Sequence, residues 1–297
     1  MSLVIVGSIG LDTISTPSGS VIDAIGGSAV YGSISASYFT RVKLIGVVGS
    51  DYPPSAIKVL QRHNINLDGL ERAEGKTFRW TGEYHDLNKA ETLLTELNVF
   101  ADFVPQLPQS CISCHSLLLA NIHPNLQLQV LDKTGSYQHV ACDTMNFWIE
   151  GCPDELARVI SRVHIVFMNE DEVKSFTKET NIFSSAKAIL DMGPKLVLVK
   201  RGEYGSAAIT KDAIYFAPAY PIGVVKDPTG AGDSFAGTFM ACLEEHLELS
   251  EYAIKEALGY ATVMAGLNVS EFSVGGILDI PREKIDEYKE NLCRMTI

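Results

Sequence analysis

Residues 227–233 read Asp-Pro-Thr-Gly-Ala-Gly-Asp. The run Ile222–Lys226 before them is expected to be a strand, and the apolar-periodic segment Gly232–Glu245 a helix. Gly230 and Gly232 let the backbone turn sharply and let a ligand come close. The N–H groups of Gly230, Ala231, Gly232 and Asp233 then point out of the helix start, where the helix dipole also favours an anion. Asp233 sets a carboxylate beside that cradle. Phosphoryl transfer to an alcohol needs this pairing, a base for the hydroxyl proton and fixed donors for the charge developing on phosphate. An ordinary strand-to-helix turn with an acidic first turn uses the same residue types. The length and order of the motif favour the chemical reading.

Outward from this motif, strand-like and helical patterns alternate, which predicts a parallel sheet flanked by helices. Strands are expected at Leu3–Gly7, Lys43–Val48, Ser116–Ala120, Val140–Thr144, His164–Met168, Leu196–Lys200 and Ala207–Ile209. Helices are expected at Ser28–Tyr38, Ser55–Arg62, Pro153–Ser161, Asp171–Thr177, Ser184–Asp191, Ser250–Leu267 and Arg282–Asn291. Two pieces break the alternation: the polar stretch Thr13–Asp23, and Thr77–Tyr84 with Glu91–Phe100 beyond the turn-like Asp86-Leu87-Asn88. Together, about 13–23 and 77–100 predict a small β-layer outside the main sheet, as a lid, a dimer-forming flap or an ordinary hairpin would give.

The chain has 297 residues, 46% of them hydrophobic and 20% charged, the balance of a soluble protein with a large core, and is taken as a single unit over 1–297. The net charge of −12, with no Lys/Arg run, argues against nucleic-acid and anionic-membrane partners. No apolar run approaches the roughly 20 residues of a membrane span. Met1–Ile9 lacks a basic flank and reads as a buried strand, not a leader. Six cysteines without a secretion signal predict reduced thiols in the cytoplasm. Cys111-Ile-Ser-Cys114-His115 has the spacing of a haem attachment site but no export signal or haem pocket, and no second ligand pair follows to make a zinc site. Gly75-Lys76-Thr77 fails as a phosphate loop, because the required glycine position is Leu70 and a strand follows.

Further groups collect at predicted strand ends, where parallel sheets bind ligands. Asn169 ends one strand and can cap the next helix, and Glu172 lies three residues on. An amide and a carboxylate there suit hydrated Mg²⁺ near phosphates, or simply an acidic helix start. Lys200, Gly202 and Gly205 lie on a tight loop, beside a ligand or as a plain hairpin. Asp12 follows the first strand and suits sugar hydroxyls, and Gly26 and Gly27 let backbone N–H groups approach the same ligand.

With these residues in this order, the chain resembles the ribokinase-like, or PfkB, family of carbohydrate and nucleoside kinases from its first strand to its last helices. The resemblance implies a three-layer α/β/α core with a mainly parallel sheet and a small β-lid. It implies ATP and Mg²⁺, possible use of K⁺, and a sugar or nucleoside acceptor. By likeness, Asp233 is the base and Gly230, Ala231 and Gly232 form the anion hole; Asn169 and Glu172 order Mg²⁺ and the phosphates, with Glu172 acting through water. Lys200, Gly202 and Gly205 would lie along the nucleotide and Thr262 near the adenine. Asp12, Gly26, Gly27 and Tyr31 would line the acceptor site; Asp227, Thr229 and the Ser270–Gly275 loop would match a monovalent-cation site.

Two departures bear on the acceptor. Tyr31 stands where ribokinase-type members carry Asn, so its ring either stacks on a sugar or base or closes the pocket. Phe78, Trp80, Tyr84 and His85 make the lid aromatic, for a flat acceptor or for packing. Pro228, where Thr is common, fits a turn. A sugar kinase is the leading expectation and a nucleoside kinase acting on a ribose 5′-hydroxyl the alternative. A non-catalytic sensor would have no use for Asp233 as a base.

Overall fold

Successive residues of the first strand face opposite ways: Leu3 and Ile5 join one hydrophobic core, Val4 and Val6 another. A strand buried on both faces reads as an unbroken apolar run, and two cores divided by one sheet make three layers. The computed structural model describes residues 2–295 except Ser113 and Ser136; Met1, Thr296 and Ile297 also lie outside the described residues.

The strands are β1 (Leu3–Val6), β2 (Gly10–Thr16), β3 (Gly19–Gly26), β4 (Val42–Val48), β5 (Asn66–Arg72), β6 (Phe78–Asp86) and β7 (Lys89–Glu96). They continue with β8 (Ser116–Leu119), β9 (His139–Asp143), β10 (Ile165–Asn169), β11 (Leu196–Lys200), β12 (Ser206–Ile209) and β13 (Ile214–Ala217). Nine strands form the main sheet in the order β13-β12-β11-β10-β9-β8-β1-β4-β5. It is parallel from β11 to β5, and β12 and β13 add antiparallel at one edge. The second sheet, β3-β2-β6-β7, is the small β-layer expected from the sequence, longer in its first piece (Gly10–Gly26) and shorter in its second (Phe78–Glu96).

The helices are α1 (Ser28–Ala36), α2 (Pro54–Arg62), α3 (Gln109–Ile112), α4 (Pro124–Lys133), α5 (Asn146–Gly151), α6 (Pro153–Ile160), α7 (Glu170–Thr177) and α8 (Ile182–Asp191). After β13 come α9 (Ala231–Cys242), α10 (Glu251–Asn268) and α11 (Arg282–Met295). From β1 the chain steps toward β5, and from β8 it steps the other way. Right-handed crossovers therefore put α1 and α2 on one face and α4, α6 and α8 on the other. The first face stays bare over β8–β11, and α9 and α10 cover it through Phe235, Phe239 and Met264. That packing brings the start of α9 to the carboxyl ends of the strands, beside the point where strand order reverses.

One expected strand is absent. Ile222–Lys226 is not a strand. The sheet already ends at β13, and the backbone here bonds elsewhere: the N–H groups of Lys226 and Asp227 donate to the Val269 carbonyl, and the carbonyls of Val225 and Lys226 accept from Ser18 and Thr16 hydroxyls. Helix α4 was not expected; Pro124 at its first position and His123 as its cap start it. No helix among the described residues is long and apolar enough to cross a membrane.

Candidate active site

Gly230 caps α9 in the left-handed conformation, φ 77°. A side chain there would also strike the Tyr31 ring, 2.3 Å from an ideal Cβ, so this position requires glycine twice over. The N–H groups of Gly232 and Asp233 have no acceptor among the described residues. Ala231 departs from expectation, because its N–H donates to the Pro228 carbonyl at 3.3 Å and closes the turn. The loop is held from behind by the buried amide of Asn268 on α10, which donates to the Thr229 carbonyl (2.7 Å) and accepts from Ser234 Oγ (3.2 Å). Asn268 was missed in the sequence, where a polar residue in a long apolar helix was its one signal.

Asp233 sits in the first turn of α9, and burial with the Asp143 carboxylate nearby pushes its carboxyl up to about 7. Three neighbouring strands end beneath it. β9 ends in Asp143, β10 in Asn169 and β11 in Lys200, which pairs with Asn169 in register. Lys200 reaches over β10 to both Asp143 oxygens at 2.9 and 2.8 Å. Asp143 is the charged residue that the sequence reading missed; its signal was a carboxylate at a predicted strand end. Asn169 and Glu172 form a reciprocal capping box: Glu172 N donates to Asn169 Oδ1 at 2.8 Å, and Asn169 N to Glu172 Oε2 at 2.6 Å. Burial pushes the Glu172 carboxyl up to about 7 against the pull of Lys200. Asp143, Glu172 and Asp233 thus surround one ammonium, leaving a net negative cluster beside the amide cradle.

On the acceptor side, the Asp12 carboxylate occupies the space a Gly26 side chain would need, 1.9 Å from an ideal Cβ. Burial, then Asp227 and Asp233, push its carboxyl up to about 8. Gly27, at φ 98°, caps α1. Tyr31 lies on α1 with 1% of its surface exposed and its ring under Gly230, so it closes the floor; its hydroxyl is buried without a partner. Of the aromatics on the small sheet, Tyr84 alone reaches the loop, accepting from the Thr229 hydroxyl at 3.1 Å. Phe78 packs on Phe100, Trp80 lies over Gly82, and His85 is exposed between Glu83 and Glu91.

Asp227 is fully buried and accepts from Thr229 N (2.9 Å) and Ser273 N (2.8 Å), which joins it to the 270–275 loop. Gly202 (φ 53°) and Gly205 (φ 85°) bracket the turn after β11, and the small sheet's Asn88 touches Glu203 in it. Thr262 stands apart, buried in α10 with its hydroxyl unpartnered and no bond to that turn. Among the described residues no three His, Cys, Asp or Glu side chains form a metal cage.

Residues 26–281 match the family described as pfkB family carbohydrate kinase. The chain is similar to a cytidine kinase of Thermococcus kodakarensis, 29% identical over 249 residues, covering 81% of this chain and 88% of that protein. It is also similar to the solved nucleoside kinase of Methanocaldococcus jannaschii, an archaeal member of the ribokinase family, with TM-score 0.78 and 20% identity over 98% of each chain. The solved ribokinase of Thermotoga maritima gives TM-score 0.77 at 20% identity, covering 98% of this chain and 100% of that one. At such identities the two solved structures speak for the ribokinase-like fold.

Proposed function

The chain belongs to the pfkB family of carbohydrate kinases, and from that premise we propose that it transfers the γ-phosphoryl group of ATP to a sugar or nucleoside hydroxyl with Asp233 as general base. One observation carries the reading: a carboxylate with its carboxyl near 7 shares a helical turn with N–H groups that have no acceptor among the described residues. A base poised near neutral pH takes the acceptor proton efficiently, and the amides hold the charge on phosphate.

Each remaining group has a role that suits its surroundings. Asp12 and the backbone at Gly26 and Gly27 bind acceptor hydroxyls, and Gly202 and Gly205 lie along the nucleotide. Glu172, with one oxygen held by the capping box, would hold Mg²⁺ through water, and the excess of carboxylate over ammonium there fits a divalent cation. Bound Mg²⁺ neutralises phosphate charge. Asp227 accepts from the backbone N–H groups of Thr229 and Ser273, so with Thr229 and the carbonyls of 270–275 it fits a monovalent cation. The small sheet acts as the lid, with Tyr84 and Asn88 among its points of attachment.

A nucleoside acceptor, phosphorylated on its 5′-hydroxyl, is the second reading. A cavity of about 280 Å³ lined by Leu97, Phe100, His123, Leu126 and Trp148 lies one residue from the acceptor groups. Asn121 bridges them, accepting from Trp148 Nε1 at 3.0 Å and from Ser28 Oγ, next to Gly27, at 3.3 Å. An aromatic-lined recess there suits a base. The likeness to a cytidine kinase over most of both chains points the same way. The test is ADP release with Mg-ATP across pentoses, hexoses, keto-sugar acids and nucleosides, with Asp233→Asn as blank. Turnover of a nucleoside, weakened by Trp148→Ala, supports the second reading; turnover of free sugars alone supports the first. Turnover by the blank equal to wild type removes Asp233 as the base.

A further inference from the structure

We propose that Lys200 is a catalytic residue that holds the transferring phosphoryl group, and that Asp143 is the positioning residue that fixes its ammonium there. The inference deepens the kinase reading above and rests on it.

Lys200 ends β11, and its side chain crosses the end of β10 to reach Asp143 at the end of β9. The Asp143 carboxylate is 2% exposed and the Lys200 side chain 18%. Asp143 is itself fixed, because Oδ1 also accepts from Thr144 N at 2.9 Å. The ammonium has three N–H donors. Two meet the Asp143 oxygens, and the third has no acceptor among the described residues.

The position of that ammonium gives it a function. An ideal Cβ on Gly232 would lie 3.1 Å from Lys200 Nζ, so the charge rests against the first turn of α9, where the Gly232 and Asp233 N–H groups lack acceptors among the described residues. Glycine at 232 thus leaves room for the lysine as well as for a ligand. A buried ion pair is a poor way to stabilise a fold, since apolar residues of similar size commonly do as well. A pre-placed cation beside an anion cradle is what transfer of a highly charged group uses.

In the step itself, the acceptor O–H gives its proton to the Asp233 carboxylate. The acceptor oxygen bonds to the γ-phosphorus as that phosphorus parts from the β,γ-bridging oxygen, and the electron pair leaves with ADP. Lys200 makes and breaks no covalent bond. Its free N–H and its charge meet the non-bridging oxygens, where negative charge is held through the transfer. Asp143 keeps the long side chain in one rotamer, which would otherwise be lost at each turnover.

The test uses the full chain with an acceptor that the wild type turns over. Lys200→Met is expected to lower kcat about 10²-fold or more, as loss of one oxyanion donor does, with acceptor KM changed little; Lys200→Arg is expected to recover part of the loss. Either neutralised partner alone leaves a buried unpaired group and lowers the melting temperature. The double variant Lys200→Met/Asp143→Asn removes that mismatch, so its melting temperature is expected to recover while kcat stays low. Recovery of kcat in the double variant, or full kcat in Lys200→Met, would overturn the proposal and leave the pair structural. A wild type that binds ATP yet phosphorylates no hydroxyl would overturn the kinase reading, and this inference with it.

Discussion

Around Asp233 the chain buries charge: Asp143, Glu172 and Asp227 are all interior, held by capping-box, ion-pair and backbone bonds. Across the cleft, strand β7 of the small sheet is exposed at every residue but its last, including Leu93 and Leu94. Bonds such as Tyr84–Thr229, Asn88–Glu203, Thr16–Lys226 and Ser18–Val225 tie that sheet to the body. Groups that must meet a transferring phosphate at fixed distance stand on strand ends and helix starts that three layers hold still. Under the proposed lid role, the groups that admit an acceptor stand on the more exposed sheet, where local opening costs little. On that proposal closure and chemistry are separable, and substitutions should divide along that line.

The sharpest break of the division is Asp233→Asn, expected to lower kcat by about 10²–10⁴-fold while nucleotide affinity, read by calorimetry, stays within a few-fold. Next comes Gly230→Ala. A methyl at φ 77° against the Tyr31 ring is expected to cost more than about 1 kcal/mol, seen in chemical denaturation, and to lower kcat by displacing the amides. An unchanged unfolding midpoint would mean that the loop is looser than its packing implies.

Tyr84→Phe tests the other side. Loss of one bond to Thr229, worth about 0.5–1.5 kcal/mol, is expected to raise acceptor KM about two- to tenfold and to leave kcat nearly intact. A fall in kcat with unchanged KM would place Tyr84 in the chemistry and erase the division. The smallest effect is a pH dependence of stability. Asp12 keeps its proton in the folded chain up to about 8, whereas unfolded it ionises near 3.8. The folded state therefore holds the extra proton between those values, and stability falls as pH rises through them. Asp12→Asn is expected to raise the melting temperature at pH 8 and to do little at pH 4. Equal shifts at both would show Asp12 ionised in the fold.

Much of the site was legible because its signals are local. Gly230 and Gly232 before a helical period announce a cradle, and Asn169 with Glu172 three residues on announces a helix start. Asp143 was not legible, because its partner Lys200 is 57 residues away and only the order β9-β10-β11 brings them together. Ile222–Lys226 misled for the converse reason: its composition suits a strand, but after β13 its backbone groups bond to Val269, Thr16 and Ser18 instead of to a sheet edge.

The aromatics of the small sheet show the same limit. The sequence marked Phe78, Trp80, Tyr84 and His85 as a group. Packing separated them, sending Tyr84 to the loop, Phe78 to Phe100, Trp80 onto Gly82 and His85 to solvent. By itself the sequence determined the alternating sheet-and-helix fold and the glycine-bearing start of α9 with a carboxylate in its first turn, because hydrophobic period, glycine and capping act between near neighbours. Only the tertiary structure decided that Asp143 holds Lys200 against Gly232 and that Tyr31 lies beneath Gly230. Those contacts depend on strand order and helix packing, which join residues far apart in the chain.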